Sequence, residues 1–181
     1  LDHCATPPPA EPDRSYALAA IREVFEETGV LLASPPALPD ESLAQWRESL
    51  LADRVTLLDV VRATGRRLDP GALVYIAHWI TPAPEPRRYD TRFFLVPLPA
   101  GCTASADARE MTDARWLRPQ DALDSFHAGR LPMVFPTVRT LEQLSGFTSV
   151  DAVLEEFRGR RVATVEPRLV RTRDGVGIVI D

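Results

Sequence analysis

A chain of 181 residues, 45% hydrophobic and 26% charged, can bury the core of one folded domain. Its net charge of −5 argues against a general nucleic-acid-binding surface, and no apolar run approaches the roughly 20 residues needed to cross a bilayer. Cys4 and Cys102 alone make no disulfide framework, and the first residues carry neither a basic nor an apolar leader segment, so a cytoplasmic location is expected.

Residues 4–13, "CATPPPAEPD", are too rich in proline for a helix and read as an extended lead-in. Ser15 is a candidate cap for a helix that stops at Gly29. "SPPALP", 34–39, reads as a linker. Helices are expected over 40–54, with Leu43, Trp46, Leu50 and Leu51 at helical spacing, and over 56–65, ending at a glycine. The runs "ALVYIAHWI", 72–80, and "TRFFLVPL", 91–98, are β-branched and aromatic and predict strands. A proline-broken polar loop separates them. "DARWLRP", 113–119, predicts a third short strand. Residues 119–129 open with proline and close with glycine, as a helix does, and 136–147 and 149–159 predict two more. The segments 162–172 and 176–180, joined through Arg173-Asp174-Gly175, predict a terminal hairpin. The class is α/β: one domain over 1–181, with 119–181 a C-terminal helical segment and hairpin. Strand signals are few for a self-sufficient sheet.

The first helix carries the most specific pattern. At about 100° per residue, Glu23, Glu26 and Glu27 fall within about a 100° arc, while Ile21, Phe25 and, if the helix continues, Leu32 fall near the opposite pole. Crowded carboxylates destabilise a helix unless compensated. A hard divalent cation compensates through carboxylate oxygens. Arg22, four residues before Glu26, compensates by ion pairing. An acid-rich face of this kind is, by itself, more often plain solvated charge.

The string "REVFEETGV" resembles the second half of the Nudix signature, Gly-x5-Glu-x7-Arg-Glu-U-x-Glu-Glu-x-Gly-U with U aliphatic. Arg22, Glu23, Val24, Glu26, Glu27, Gly29 and Val30 fill all of its specified places. The first half departs: Arg14 and Pro8 stand where an unbroken box has Glu and Gly. Either the site is degenerate, or an insertion splits the box and its glycine lies upstream of Leu1; the second is expected. The stretches 77–99 and 136–160 are also similar to the Nudix branch that carries such an insertion, which includes peroxisomal coenzyme A diphosphatases and bacterial relatives. The lack of lysine among the 21 basic residues is the composition of a GC-rich bacterial genome. The resemblance implies a Nudix-type α/β/α sandwich with a mixed sheet, its first strands absent from this chain.

It implies, further, divalent-metal-dependent hydrolysis (Mg²⁺ or Mn²⁺) of a nucleoside-diphosphate-linked small molecule, coenzyme A or a related nucleotide derivative. Glu26 and Glu27 would be the main metal ligands and Glu23 an additional one. Arg22 would orient a glutamate. Many members dimerise, which makes a homodimer a candidate assembly, although the sequence itself is silent on oligomeric state. Glu110, in the loop before Trp116, is a candidate general base, with an exposed loop acid as the equally weighted alternative. Arg87, Arg88 and Arg92 are candidates to grip a phosphate, against solvated charge at a strand end. Trp79 and Tyr89 could stack on an adenine, although strand aromatics are more often core. His78 and His127 read as structural, and His3 and Cys4 carry no metal expectation. A Nudix-like binding or interaction module without turnover is the alternative to an enzyme.

Overall fold

The computed structural model describes residues 3–5, 13–36, 40–107, 109, 111, 113–172 and 175–180, with backbone only at 172 and 176. The chain divides into two compact units, Leu1–Leu73 with Val96–Trp116, and Val74–Leu95 with Leu117–Asp181.

The first unit contains α1 (Asp13–Thr28), β1 (Ala33–Ser34), α2 (Glu41–Leu51), α3 (Leu57–Thr64) and β2 (Arg67–Leu68). Helix α1 opens at Asp13, two residues ahead of the expected Ser15 cap, with an acid where the helix dipole favours one. Ala17, Ile21 and Phe25, four apart, form its buried face. The helix stops before Gly29, whose φ of +76° lies in the left-handed region. Leu32 is therefore not on the helix. It is buried within an extended segment, Val30, Leu31, Leu32 and Ala33, that enters the core directly. There β1 pairs antiparallel with β2, and Asp69 N–H donates to Leu32 O at 3.1 Å. Of the expected lead-in, Cys4 bridges to Leu68 and is buried.

Local chemistry sets the ends of α2 and α3. Asp40 caps α2 by accepting from Leu43 N–H at 2.7 Å. Thr56 and Asp59 form a reciprocal capping box on α3, which ends at Gly65 in the left-handed conformation. Ile21, Phe25, Leu31, Leu43, Val60 and Val61 anchor the core of this unit.

The second unit is built on a mixed sheet of order β4-β3-β5, comprising β3 (Val74–Ile80), β4 (Asp90–Leu95) and β5 (Thr164–Val165). β3 runs antiparallel to β4, with an irregularity between Tyr75 and Ala77, and parallel to β5. Helices α4 (Pro119–His127), α5 (Phe135–Leu144) and α6 (Val150–Phe157) follow in the chain. Val74, Ile76, Ala77 and Trp79 pack with Leu154 and Phe157 of α6. His78 is a structural tie: its Nε2 hydrogen-bonds with Asp90 Oδ1 at 2.7 Å and its Nδ1 with the Thr164 hydroxyl at 2.9 Å. A third element of this unit is the antiparallel pair β6 (Arg168–Thr172) and β7 (Gly175–Val179).

Two sequence expectations are corrected. Residues 113–118 form no strand: Trp116 is 74% exposed, Arg115 pairs locally with Asp113 at 2.6 Å, and no partner strand offers a ladder among the described residues. The segment 162–172 is not one hairpin arm. Pro167 has no N–H to give a ladder, and the chain changes partner there, from β3 at Thr164–Val165 to β7 from Arg168 onward. The turn residues Arg173 and Asp174 lie outside the described residues. No helix among the described residues is long and apolar enough to cross a membrane.

Two measurements check this frame. Phe25→Ala, at a side chain with 0% exposure, should cost about 3–5 kcal/mol by urea unfolding. The Asp59 carboxyl is held below its usual range, chiefly by the hydrogen bond from the Thr56 hydroxyl. A depressed folded pKa stabilises fully above the unfolded value of about 3.9 and is lost as pH falls through the lower folded value. Asp59→Asn should therefore lower Tm at pH 7, and the gap from the parent should close as pH drops below about 4 in a calorimetric series.

Candidate functional site

Arg22, Glu23, Glu26 and Glu27 all stand on α1, away from its buried face. The Arg22 guanidinium is the local counter-charge. Its Nη2 donates to Glu23 Oε1 at 2.7 Å, and its Nε lies 3.5 Å from Glu26 Oε1. The Glu23 hydrogen bond raises the Arg22 pKa above its ordinary value; partial burial opposes this, and the Glu26 charge adds to it. One arginine thus draws two carboxylates together. The Glu26 side chain is 18% exposed and the Glu23 side chain 47%, so Glu26 sits deeper.

Among the described residues, no group of three or more His, Cys, Asp or Glu side chains converges tightly enough to enclose a metal ion. The donors therefore do not fit an all-protein cage. They do fit a hard cation such as Mg²⁺, which takes one or two carboxylates and completes its shell with water and substrate oxygens.

The C-terminal end of α1 is held by a residue not foreseen from the sequence. A helix leaves its last carbonyls without intrahelical donors. Here Phe25 O accepts from Gly29 N–H at 2.9 Å, and Thr28 O accepts from Ser105 N–H at 2.9 Å. The Thr28 hydroxyl donates to Val24 O at 2.6 Å and accepts from Val30 N–H at 3.3 Å. Glu26 O accepts from Arg47 Nε at 2.9 Å. The same guanidinium donates from Nη2 to Ser105 O at 3.0 Å and from Nη1 to Ser105 Oγ at 3.3 Å. Burial pushes the Arg47 pKa down. A Cβ on Gly29 would lie 3.2 Å from Arg47 Nη1.

Thr28, Gly29, Arg47, Ser105, Asp107 and Arg109 line a cleft of about 270 Å³ at this end of the helix; none of the three glutamates lines it. Asp107 Oδ1 accepts from Arg109 N–H at 3.2 Å and from Met111 N–H at 2.8 Å, turning the loop that runs toward Trp116. Glu110, the candidate base in this loop, lies outside the described residues.

The other candidates belong to the second unit. Arg88 donates from Nε to Thr81 O at 3.0 Å and pairs through Nη2 with Glu166. Arg92 pairs through Nη1 with Asp90 at 3.2 Å and its side chain is 9% exposed. Arg87 is exposed. Trp79 is core, set edge-on to Phe135 at 5.8 Å, whereas Tyr89 is exposed.

A family model described as the NUDT19 Nudix domain matches residues 5–144. The chain belongs to that family. Among similar proteins are two described as acyl-coenzyme A diphosphatase NUDT19. The one from Gallus gallus is 30% identical over 76% of this chain and 42% of its own length. The one from Homo sapiens is 29% identical over 91% of this chain and 48% of its own length. The chain thus spans less than half the length of these relatives. A crystal structure of a Nudix hydrolase from Alicyclobacillus acidocaldarius superposes with a TM-score of 0.65 at 27% identity, covering 87% of this chain and 72% of that one. The mixed α/β architecture with a mixed sheet agrees with this neighbour, and Nudix membership implies a divalent cation.

Gly29→Ala should destabilise the protein by more than Gly65→Ala. Both glycines have positive φ, which costs an L-residue about 1–2 kcal/mol, but only Gly29 has a neighbour a Cβ would press upon. Equal losses in parallel urea titrations would show that the close approach of Arg47 adds nothing.

Proposed function

We propose that this chain carries the catalytic helix of a divalent-cation-dependent hydrolase that cleaves a diphosphate bond in a nucleoside-diphosphate-linked substrate of the coenzyme A type. The observation that carries the reading is α1. It presents Glu23, Glu26 and Glu27 away from a buried Ile21–Phe25 face, with Arg22 bound to Glu23 and close to Glu26. The matched family model and the acyl-coenzyme A diphosphatase activity of the similar NUDT19 proteins support the substrate class.

The roles follow from side-chain chemistry. Glu26 and Glu27 offer the main oxygen ligands, and Glu23 a further one, for Mg²⁺ or Mn²⁺. Arg22 keeps the acids from repelling one another and limits the rotamers of Glu23 and Glu26. When bound, the cation supplies charge neutralisation at the diphosphate and lowers the pKa of water. Glu110 is the candidate acceptor of a proton from the attacking water. Arg87 and Arg88 are the exposed members of the 87–92 arginine set; in Arg88 and Arg92, guanidinium groups already engage Glu166 and Asp90, so a phosphate would have to compete with these carboxylates. A homodimer in the cytoplasm is the proposed setting.

The test uses the full-length polypeptide with coenzyme A and acyl-coenzyme A, in Mg²⁺ or Mn²⁺. Glu26→Gln and Glu27→Gln should each lower kcat/KM by more than about 10²-fold, beyond the 10–100-fold typical of groups that only support a ligand. Hydrolysis that persists in both variants would contradict the assignment. Tight nucleotide binding with no turnover would favour the binding-module alternative.

A further inference from the structure

The cleft at the end of α1 and its half-buried arginine, Arg47, are not used by the mechanism above. We propose that Arg47 is a positioning residue for the metal-binding carboxylates, fixing the last turn of α1 and tying it to the 103–107 loop. The inference rests on the reading of α1 as the metal-binding helix.

The accounting of carbonyls shows why. In an uninterrupted helix, Glu26 O would accept from the N–H of Val30, four residues on. The helix ends at Thr28, and Val30 N–H turns to the Thr28 hydroxyl instead. Glu26 O then takes its hydrogen bond from Arg47 Nε, a residue of α2. Glu26 is thus at once the deeper of the two acids paired with Arg22 and the residue whose backbone Arg47 holds. From the same planar guanidinium, Nη2 reaches Ser105 O, and Ser105 N–H returns to Thr28 O. The circuit Glu26–Arg47–Ser105–Thr28 closes around the turn that carries Glu26 and Glu27. Gly29 leaves room for the guanidinium, since a Cβ there would meet Nη1 at 3.2 Å.

The fork explains the residue type. Two carbonyls on separate segments are reached in one plane, which a single ammonium cannot do. Loss of the fork removes the Arg47 hydrogen bond from Glu26 O and frees the final turn to fray. Carboxylates on a fraying turn hold a cation less tightly, as with other groups that orient metal ligands.

The experiment is titration of the full-length protein with Mn²⁺ alone, followed by electron paramagnetic resonance. Circular dichroism and amide exchange of the metal-free protein accompany it. Arg47→Met should stay folded, exchange faster at the end of α1, and bind Mn²⁺ at least about tenfold more weakly than the parent. Arg47→Lys keeps the aliphatic stem and the charge, and guards against a folding defect; it should show the same direction of change. Parent-like Mn²⁺ affinity in a folded Met or Lys variant would overturn the inference while leaving the α1 reading intact. Mn²⁺ binding that is absent in the parent, or unchanged by Glu26→Gln with Glu27→Gln, would overturn both.

Discussion

The first unit depends on how helix α1 ends. Helix α1 must bury Ile21 and Phe25 on one side and gather three carboxylates away from it, then release the chain within one residue into the buried strand-like run Val30–Ala33. Gly29 makes the reversal possible by adopting φ +76°. The carbonyls exposed by that abrupt stop are then satisfied from elsewhere, by Arg47 and by Ser105, which lie 21 and 77 residues from the carbonyls they serve at Glu26 and Thr28. Each of these bonds contributes about 0.5–1.5 kcal/mol to holding the end of the helix. With them, the turn that holds Glu26 and Glu27 is anchored from both sides.

Charge balance is the second demand. Three acids at helical spacing would weaken an isolated helix, since like charges three or four residues apart repel. Arg22 offsets part of this by engaging Glu23 directly and lying near Glu26. Under the proposed function, the remaining negative charge is what a divalent cation would neutralise, with water and substrate oxygens completing its shell. On that reading, structural stability and metal binding pull on the same side chains. Arg22 answers on the side-chain level, and Arg47 answers on the backbone.

Much of this was legible in the sequence where the controlling interactions are local. Helices α2 and α3 lie within the runs 40–54 and 56–65 expected from apolar spacing and a terminal glycine, and their caps, Asp40 and Thr56, act within three residues. The seven-place pattern from Arg22 to Val30 likewise points to the Nudix family without knowledge of its surroundings, and the family model agrees. What sequence could not show is long-range. Arg47 sits in an ordinary amphipathic run, and nothing near it names Glu26 O or Ser105 O as partners; only its place on the inner side of α2 would have hinted at burial. β1, β2 and β5 have two residues each, too few for any periodicity to register. The strand expected at 113–119 failed for the opposite reason: aromatic and branched residues favour a strand only when a neighbour supplies the ladder, and Trp116 has none among the described residues.

The central claim is that the Glu26–Glu27 turn of α1 holds the cation. Anomalous diffraction from crystals grown with Mn²⁺ tests it most directly. The account predicts a peak between the Glu26 and Glu27 carboxylates, within about 2.0–2.3 Å of their oxygens, with water filling open positions. A peak elsewhere in the chain, or none at saturating Mn²⁺, would contradict it.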